Sequence, residues 1–352
     1  HPDHTSKASL DAKVKEAGFD TWTQLFAVEA LPHLSGNRPG MAAWVPDGTT
    51  VSDQVFTIKR NPYFVGIDPQ GNQLPYIDEI RFTFYADREA LNLAAVAGEI
   101  DFQGRHISMS TYPVLKENEN KANYRVVTWP TFGGSDAVVM LNQTWTGPEG
   151  EYFRNKDFRI ALSHAIDREA IKELAFYGLG ESRQGVPAPF HPYYPGDEYA
   201  FRYTELDMDK ANSLLDGILP NKDSDGFRLM SNGNILDIEI GIVPQFGNWP
   251  DIGQLIVENW AEVGVKAHIE IRERTQHFNM RPANELMSEI WNEDTTGFPF
   301  SGQPKFDPRS DPALTFAPLI AKWYASGGKE GQAPPAEIKR LVDIIDEAKT
   351  SG

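Results

Sequence analysis

The chain has 352 residues, more than one hydrophobic core usually spans, so two lobes or domains are expected. Its 40% hydrophobic and 24% charged residues place it with globular chains and away from disorder. A net charge of −17 argues against nucleic acid or an anionic membrane as partner, and the absence of cysteine removes disulfides, thiolate metal sites and thiol nucleophiles.

The segment "SLDAKVKEAGFDTWTQLFAVEAL" has a helical pattern and predicts one or two helices, followed by a Gly/Pro-rich loop to about Thr50. "QVFTIKR" alternates as a half-buried strand does, and turn residues in "NPYFVGIDPQGNQLPYID" lead to a second strand, "EIRFTFYA". Asp87 caps a helix, "REALNLAAVAG", that Gly98 stops, and "EIDF" reads as a short strand. "YRVVTW" and "DAVVMLN" read as strands about the loop "PTFGGS". "NKDFRIALSHAIDREAIKELAFYG" is a long or broken helix, with Asn155 and Asp167 as its two N-caps and one apolar face. "ILDIEIGIV", the helix "PDIGQLIVENWAEVG" with Gly264 as its stop, and "VKAHIEIRE" form a βαβ unit, which implies two parallel strands in one sheet. An amphipathic helix, "PPAEIKRLVDIIDEAKTSG", closes the chain.

No run approaches the roughly 18 apolar residues of a membrane span, and the opening "HPDHTSKASLD" has neither Met nor a signal-peptide apolar region, so a mature, processed or fragmentary chain is expected. The histidines lack the i, i+4 pairing of a helical zinc site, "GGSDA" lacks the closing Gly of a nucleophile elbow, and no nucleotide loop is present. Neither a metal nor a cofactor is therefore expected. "NKDSDGFRLMSN" approaches a calcium loop through Asn221, Asp223, Asp225 and Gly226, but Asn232 stands where a bidentate Glu belongs, which favours an Asx-rich turn. In "EIWNEDTTGFPFSG" two acids, Glu293 and Asp294, lie between Trp291 and the rings of Phe298 and Phe300.

Four segments in order, "RNPYFVGIDPQGNQLPYIDEIRF", "AVAGEIDF", "DFRIALSHAIDREAI" and "NKDSDGFRLMSNGNILDIEI", resemble the family 5 extracellular solute-binding proteins, the oligopeptide and dipeptide receptors of bacterial ABC importers. "RNPYF" is similar to the family's Asn-Pro-x-Tyr strand exit, and "AGEID" to its small-Gly-Glu-Ile-Asp element. "RIALSHAIDREAI" is similar to the helix after a strand ending in Asn, here Asn142, and "AKWYASGGKEGQAPPAEIKRL" to the late region of one branch. The resemblance implies an α/β fold with type II periplasmic-binding-protein lobes, each a mixed sheet with flanking helices. Residues 1–100 would be the last part of the first pass through lobe one with its crossover, and residues 101–352 a mostly complete lobe two. The opening strands and the returning segment of lobe one are expected to be absent.

The resemblance also implies a function: capture of a peptide or oligosaccharide outside the cytoplasm, periplasmic or extracellular, by a monomer that delivers it to a membrane permease. A secreted or lipid-anchored parent is expected. Peptide-binding members carry a Trp-x-x-Asp element whose acid pairs with the peptide ammonium, and Trp291-Asn292-Glu293-Asp294 has that spacing, with Ile290 where a Gly is usual. Asp294 is then the ammonium anchor beside Trp291 and Phe298; alternatively it caps the turn "DTTG" while Trp291 ends a core strand. Trp129, Phe132 and Trp249 stand at strand ends or in Gly/Pro-rich loops, where a ring can stack on a sugar or simply pack. Gly133 and Gly134 let backbone approach a ligand or make the turn, and Arg159, Asp167, Glu99 and Asp101 are expected to be structural. The rival is a secreted glycosidase or peptidase using paired carboxylates.

Overall fold

The computed structural model describes residues 5–31, 33–36, 38–107, 109–130, 134–293, 307–309 and 316–350. The chain divides into two compact units, His1–Leu91 and Asn92–Gly352.

In the first unit, α1 (Lys7–Glu16) and α2 (Trp22–Glu29) precede a three-stranded antiparallel sheet of β1 (Trp44–Pro46), β2 (Val55–Arg60) and β3 (Glu79–Thr83). Thr21 and Gln24 form a capping box at the start of α2, which explains a helix break inside one continuous helical pattern. Phe56 of β2 stacks on Phe82 of β3 at 5.7 Å. The "RNPYF" segment leaves β2 through Asn61, whose buried amide donates to the carbonyls of Gly40 (3.1 Å) and Ala42 (3.0 Å) while its oxygen accepts from Tyr63 N. Asp68 organises the turn that follows: it accepts from Tyr76 Oη, Asn72 Nδ2 and two backbone amides, and these bonds, that from Tyr76 foremost, lower its pKa to about 2.

α3 (Arg88–Ala97) spans the boundary between the units, with Ala90 N on the Asp87 carboxylate at 2.8 Å and Gly98 in the left-handed region. The second unit continues with α4 (Tyr112–Ala122), β4 (Ser135–Leu141), α5 (Gly150–Arg154), α6 (Lys156–His164), α7 (Arg168–Phe176), α8 (Asp197–Ala200) and α9 (Met208–Ile218). Then come β5 (Asp237–Ile242), α10 (Trp249–Glu262), β6 (Lys266–Ile271), α11 (Arg274–Met280), β7 (Ser288–Glu293), α12 (Pro318–Ala325) and α13 (Ala336–Thr350). The sheet order is β4-β7-β5-β6: β5 is parallel to both β6 and β7, while β4 runs antiparallel to β7. It is a mixed sheet with helices packed on it, the α/β architecture expected.

The capping residues act as expected. Asn155 accepts from Asp157 N and Phe158 N at the start of α6, and Asp167 from Ala170 N at the start of α7. Gly264 ends α10 at φ 80°, and a Cβ there would stand 2.6 Å from the Gly226 carbonyl oxygen, so only glycine fits the return into β6. Ile238, Ile240 and Ile242 of β5 are fully buried against α10, with Trp260 and, from α6, Phe158 and Leu162 in the same core.

Two expected strands do not form. Tyr124–Trp129 has no ladder partner among the described residues: Tyr124 N bonds the Glu119 carbonyl and Val126 N bonds the Glu119 carboxylate, so the end of α4 takes up its donors. Glu99–Phe102 is likewise irregular, because Glu99 N closes the end of α3 on the Ala94 carbonyl.

Candidate functional site

Open α/β sheets bind ligands beyond the carboxyl ends of their strands. At that edge of the second unit, β5 ends at Ile242 and runs through Phe246 to the start of α10, β7 ends at Glu293, and antiparallel β4 begins at Ser135 opposite it. The β4–β7 register shifts between Ser135 and Val138, a bulge that re-aims the side chains there.

Trp291 is half-buried at the centre of an aromatic group. Its ring centroid is 5.1 Å from those of Phe246 and Trp249, 5.3 Å from that of Phe278 in an edge contact, and 6.3 Å from His277 in a stacked one. The Arg281 guanidinium lies over the indole at 4.3 Å and over Phe278 at 4.4 Å. Glu289, 1% exposed, holds that cation, accepting from Arg281 Nε at 3.0 Å and Nη2 at 2.6 Å, and from His277 Nε2 at 2.6 Å. A carboxylate so deeply buried has to be paired, and this pair fixes the plane on which Trp291 rests. Among the described residues, His277 Nδ1 in this network and Arg272 Nη1, whose other nitrogen bonds Glu239, are buried with no hydrogen-bond partner.

Beside this group a cleft of about 890 Å³ follows β4, walled by α6, α7 and α10 and by Trp129, Asp136 and Phe176 among others. That volume suits a small ligand. Arg159 and Arg168 also line it. Arg168 donates to the Ser163 and Thr204 carbonyls and to Ser163 Oγ, and burial lowers its pKa to about 10, partly opposed by Glu205. Burial lowers that of Arg159 as well, whose Nη1 bonds the Phe153 carbonyl at 2.6 Å. Asp136 is exposed on the cleft lining, yet the protein around it desolvates its carboxyl enough to raise the pKa above the ordinary value.

The sites expected from sequence fall in different places. Trp291 and Trp249 come together, but Trp249 is only 2% exposed, at the first position of α10, and donates Nε1 to the Asp136 carbonyl at 2.8 Å; both its faces pack, so it has none open for a ligand. Trp129 is 71% exposed at the mouth of the cleft, its ring 6.5 Å from that of Phe102. Asp294, Phe298 and Phe132 lie outside the described residues, as does Gly133. Gly134 is buried beside Gly185, where a Cβ would meet the Gly185 carbonyl carbon at 2.5 Å. Asp136, Phe246, Arg274 and Phe278 were missed in the sequence. The available signal was position alone: Asp136, Phe246 and Arg274 sit within a few residues of a strand end at one edge of the sheet, and Phe278 is one helical turn beyond Arg274 in α11.

The model for the bacterial extracellular solute-binding proteins, family 5 middle region, matches residues 39–311. A periplasmic alpha-galactoside-binding protein of Rhizobium meliloti is 30% identical over 226 residues, covering 58% of this chain and 31% of that protein. A solved oligopeptide-binding protein OppA is 31% identical, with a TM-score of 0.66 over 99% of this chain and 57% of its own. The MelB periplasmic binding protein of Agrobacterium fabrum, solved with stachyose, shares the fold at 21% identity and a TM-score of 0.67, covering 97% of this chain and 51% of that one. The chain thus spans between about a third and three-fifths of these relatives. With most of its length, the described sheet edge included, inside the family match, it belongs to the bacterial extracellular solute-binding proteins of family 5.

Proposed function

We propose that this chain is the solute-capturing part of an ABC importer's receptor, working outside the cytoplasm without catalysis, as a monomer, and handing its ligand to a membrane permease. On this reading residues 101–352 belong to lobe two of a receptor whose lobes close by hinge motion. The observation that carries it is the cleft of about 890 Å³ along β4, walled by α6, α7 and α10 and with the exposed Trp129 at its rim. Aromatic faces at such a rim stack on sugar rings or hold peptide side chains, so peptides and oligosaccharides are the solute classes. The 30% identity to an alpha-galactoside-binding protein and the 31% identity to an oligopeptide-binding protein support the same two classes.

The role assigned to Asp294 is to pair with a peptide ammonium, since an unpaired buried charge costs several kcal/mol. Thermal unfolding of the full-length protein against free peptides, N-acetylated peptides and α-galactosides tests the reading, because a ligand at 100 times its Kd stabilises the native state by about 2.7 kcal/mol. A raised Tm with at least one class is expected. If peptides are that class, Asp294→Asn should weaken the free-amine peptide far more than its acetylated form. Equal losses would remove the anchor role, and consumption of any bound solute would replace the receptor with a hydrolase.

A further inference from the structure

Three arginines surround the Trp291 group, and they are unequally paired. Arg272 donates Nη2 to Glu239 at 2.7 Å, and Arg281 is held by Glu289. These two pairs cancel their charge. Arg274 is exposed, and its guanidinium makes no hydrogen bond or ion pair with a described residue. It lies instead 5.0 Å from the centroid of the Phe246 ring and 5.4 Å from that of Phe278, the two rings that flank Trp291. The neighbouring acid is occupied elsewhere, since the Glu273 carboxylate caps α11 through Thr275 N at 2.7 Å and Gln276 N at 3.1 Å.

Contact with ring faces holds a guanidinium in place through the ring quadrupole and uses none of its five N–H donors. The result is a cation with its fork restrained at the rim of the aromatic group and its donors unspent. That geometry matches a carboxylate, which a guanidinium binds through two parallel hydrogen bonds. A chain of net charge −17 attracts no anion at long range, so a local fork of this kind is what an acidic ligand group requires.

We propose that Arg274 reads a carboxylate on the captured solute, either the C-terminus of a peptide or a uronic acid unit of an oligosaccharide. This rests on the solute-capture reading above, and it narrows the solute to one with an acidic group. Calorimetric titration of the full-length protein with two matched probe pairs separates the sources: a peptide with a free C-terminus against its C-terminal amide, and an oligogalacturonide against its methyl ester. One pair is expected to show a preference of about 10-fold or more for the acid, the range for hydrogen bonds to a charged group. Arg274→Gln should abolish that preference, so that the acid binds no better than the amide or ester, with an unaltered Tm as the control for folding. Arg274→Lys, which keeps the charge and loses the fork, should retain only part of it. Acid and neutral forms bound equally, or a preference that survives Arg274→Gln, would overturn the role of Arg274 and leave the receptor standing. Binding of none of these probes, nor of the free peptides and α-galactosides, would remove the receptor and the inference together.

Discussion

Asp136 joins position and electrostatics at one residue: its backbone carbonyl satisfies the indole of Trp249, while desolvation in the cleft raises the pKa of its carboxyl. The folded state then binds a proton more tightly than the unfolded chain, where an Asp titrates near about 3.9. The favourable contribution is complete below that value and disappears as pH rises through the raised native pKa. Asp136→Asn, which stays neutral, is therefore expected to be more stable than the parent at pH 7 and no different at pH 3, measured by urea unfolding at both. An equal effect at the two pH values would show that burial is not what the carboxyl opposes. In the sequence, Asp136 appears in "GGSDA", a failed nucleophile motif, and at the start of the strand "DAVVMLN"; that it faces a cleft follows from which strand pairs with β4, and that strand lies some 150 residues away. Trp249 misleads in the other direction. Its loop of Gly, Asn and Pro suggests an exposed ring, yet helix α10 begins on it and turns the indole inward.

At the scale of elements, α10 approaches the sheet through Gly253, where a Cβ would stand 2.8 Å from Ile242 Cδ1 and 2.9 Å from Ile269 Cγ2. Gly253→Ala is expected to destabilise by about 1–3 kcal/mol through overpacking, seen as a lowered urea midpoint at unchanged m-value. An unchanged midpoint would mean that the two isoleucines rotate aside freely and the helix packs loosely. The β5–α10–β6 unit was legible because all its signals are local: apolar strands, a periodic helix and a glycine stop. The caps of α6 and α7 were legible for the same reason. Helices α4 and α9 show only their starts in the sequence, at Pro113 and Asp207, and the strand expected at Tyr124–Trp129 fails because Glu119 captures Val126 N. Such competition for one amide leaves no trace in hydrophobic pattern.

For the whole molecule, burial is uneven. Among the described residues, Val14, Phe56 and Pro75 are the buried apolar side chains of the first unit, whereas the second contains a continuous core built on β5. Local stability follows buried contact, so amide hydrogen exchange should be slowest at Ile238, Ile240 and Ile242 and faster by at least about an order of magnitude in β2. Equal protection in β2 and β5 would mean that the two units unfold as one cooperative body. Membership of the family was legible from four ordered segments, but this imbalance was not, because the strands of the first unit carry an ordinary alternating pattern.

The contact between Trp249 and Trp291 has a spectroscopic consequence. Two indoles with centroids 5.1 Å apart and planes inclined at 52° couple their electronic transitions, and such a tilted pair gives a paired positive and negative band in circular dichroism. One partner sits in the core and the other, half-buried, at the carboxyl edge of the sheet, so the band pair is an intrinsic optical gauge of that edge. Its amplitude will change whenever Trp291 shifts, whether through an occupant or through loss of the Glu289–Arg281 support, with no label attached.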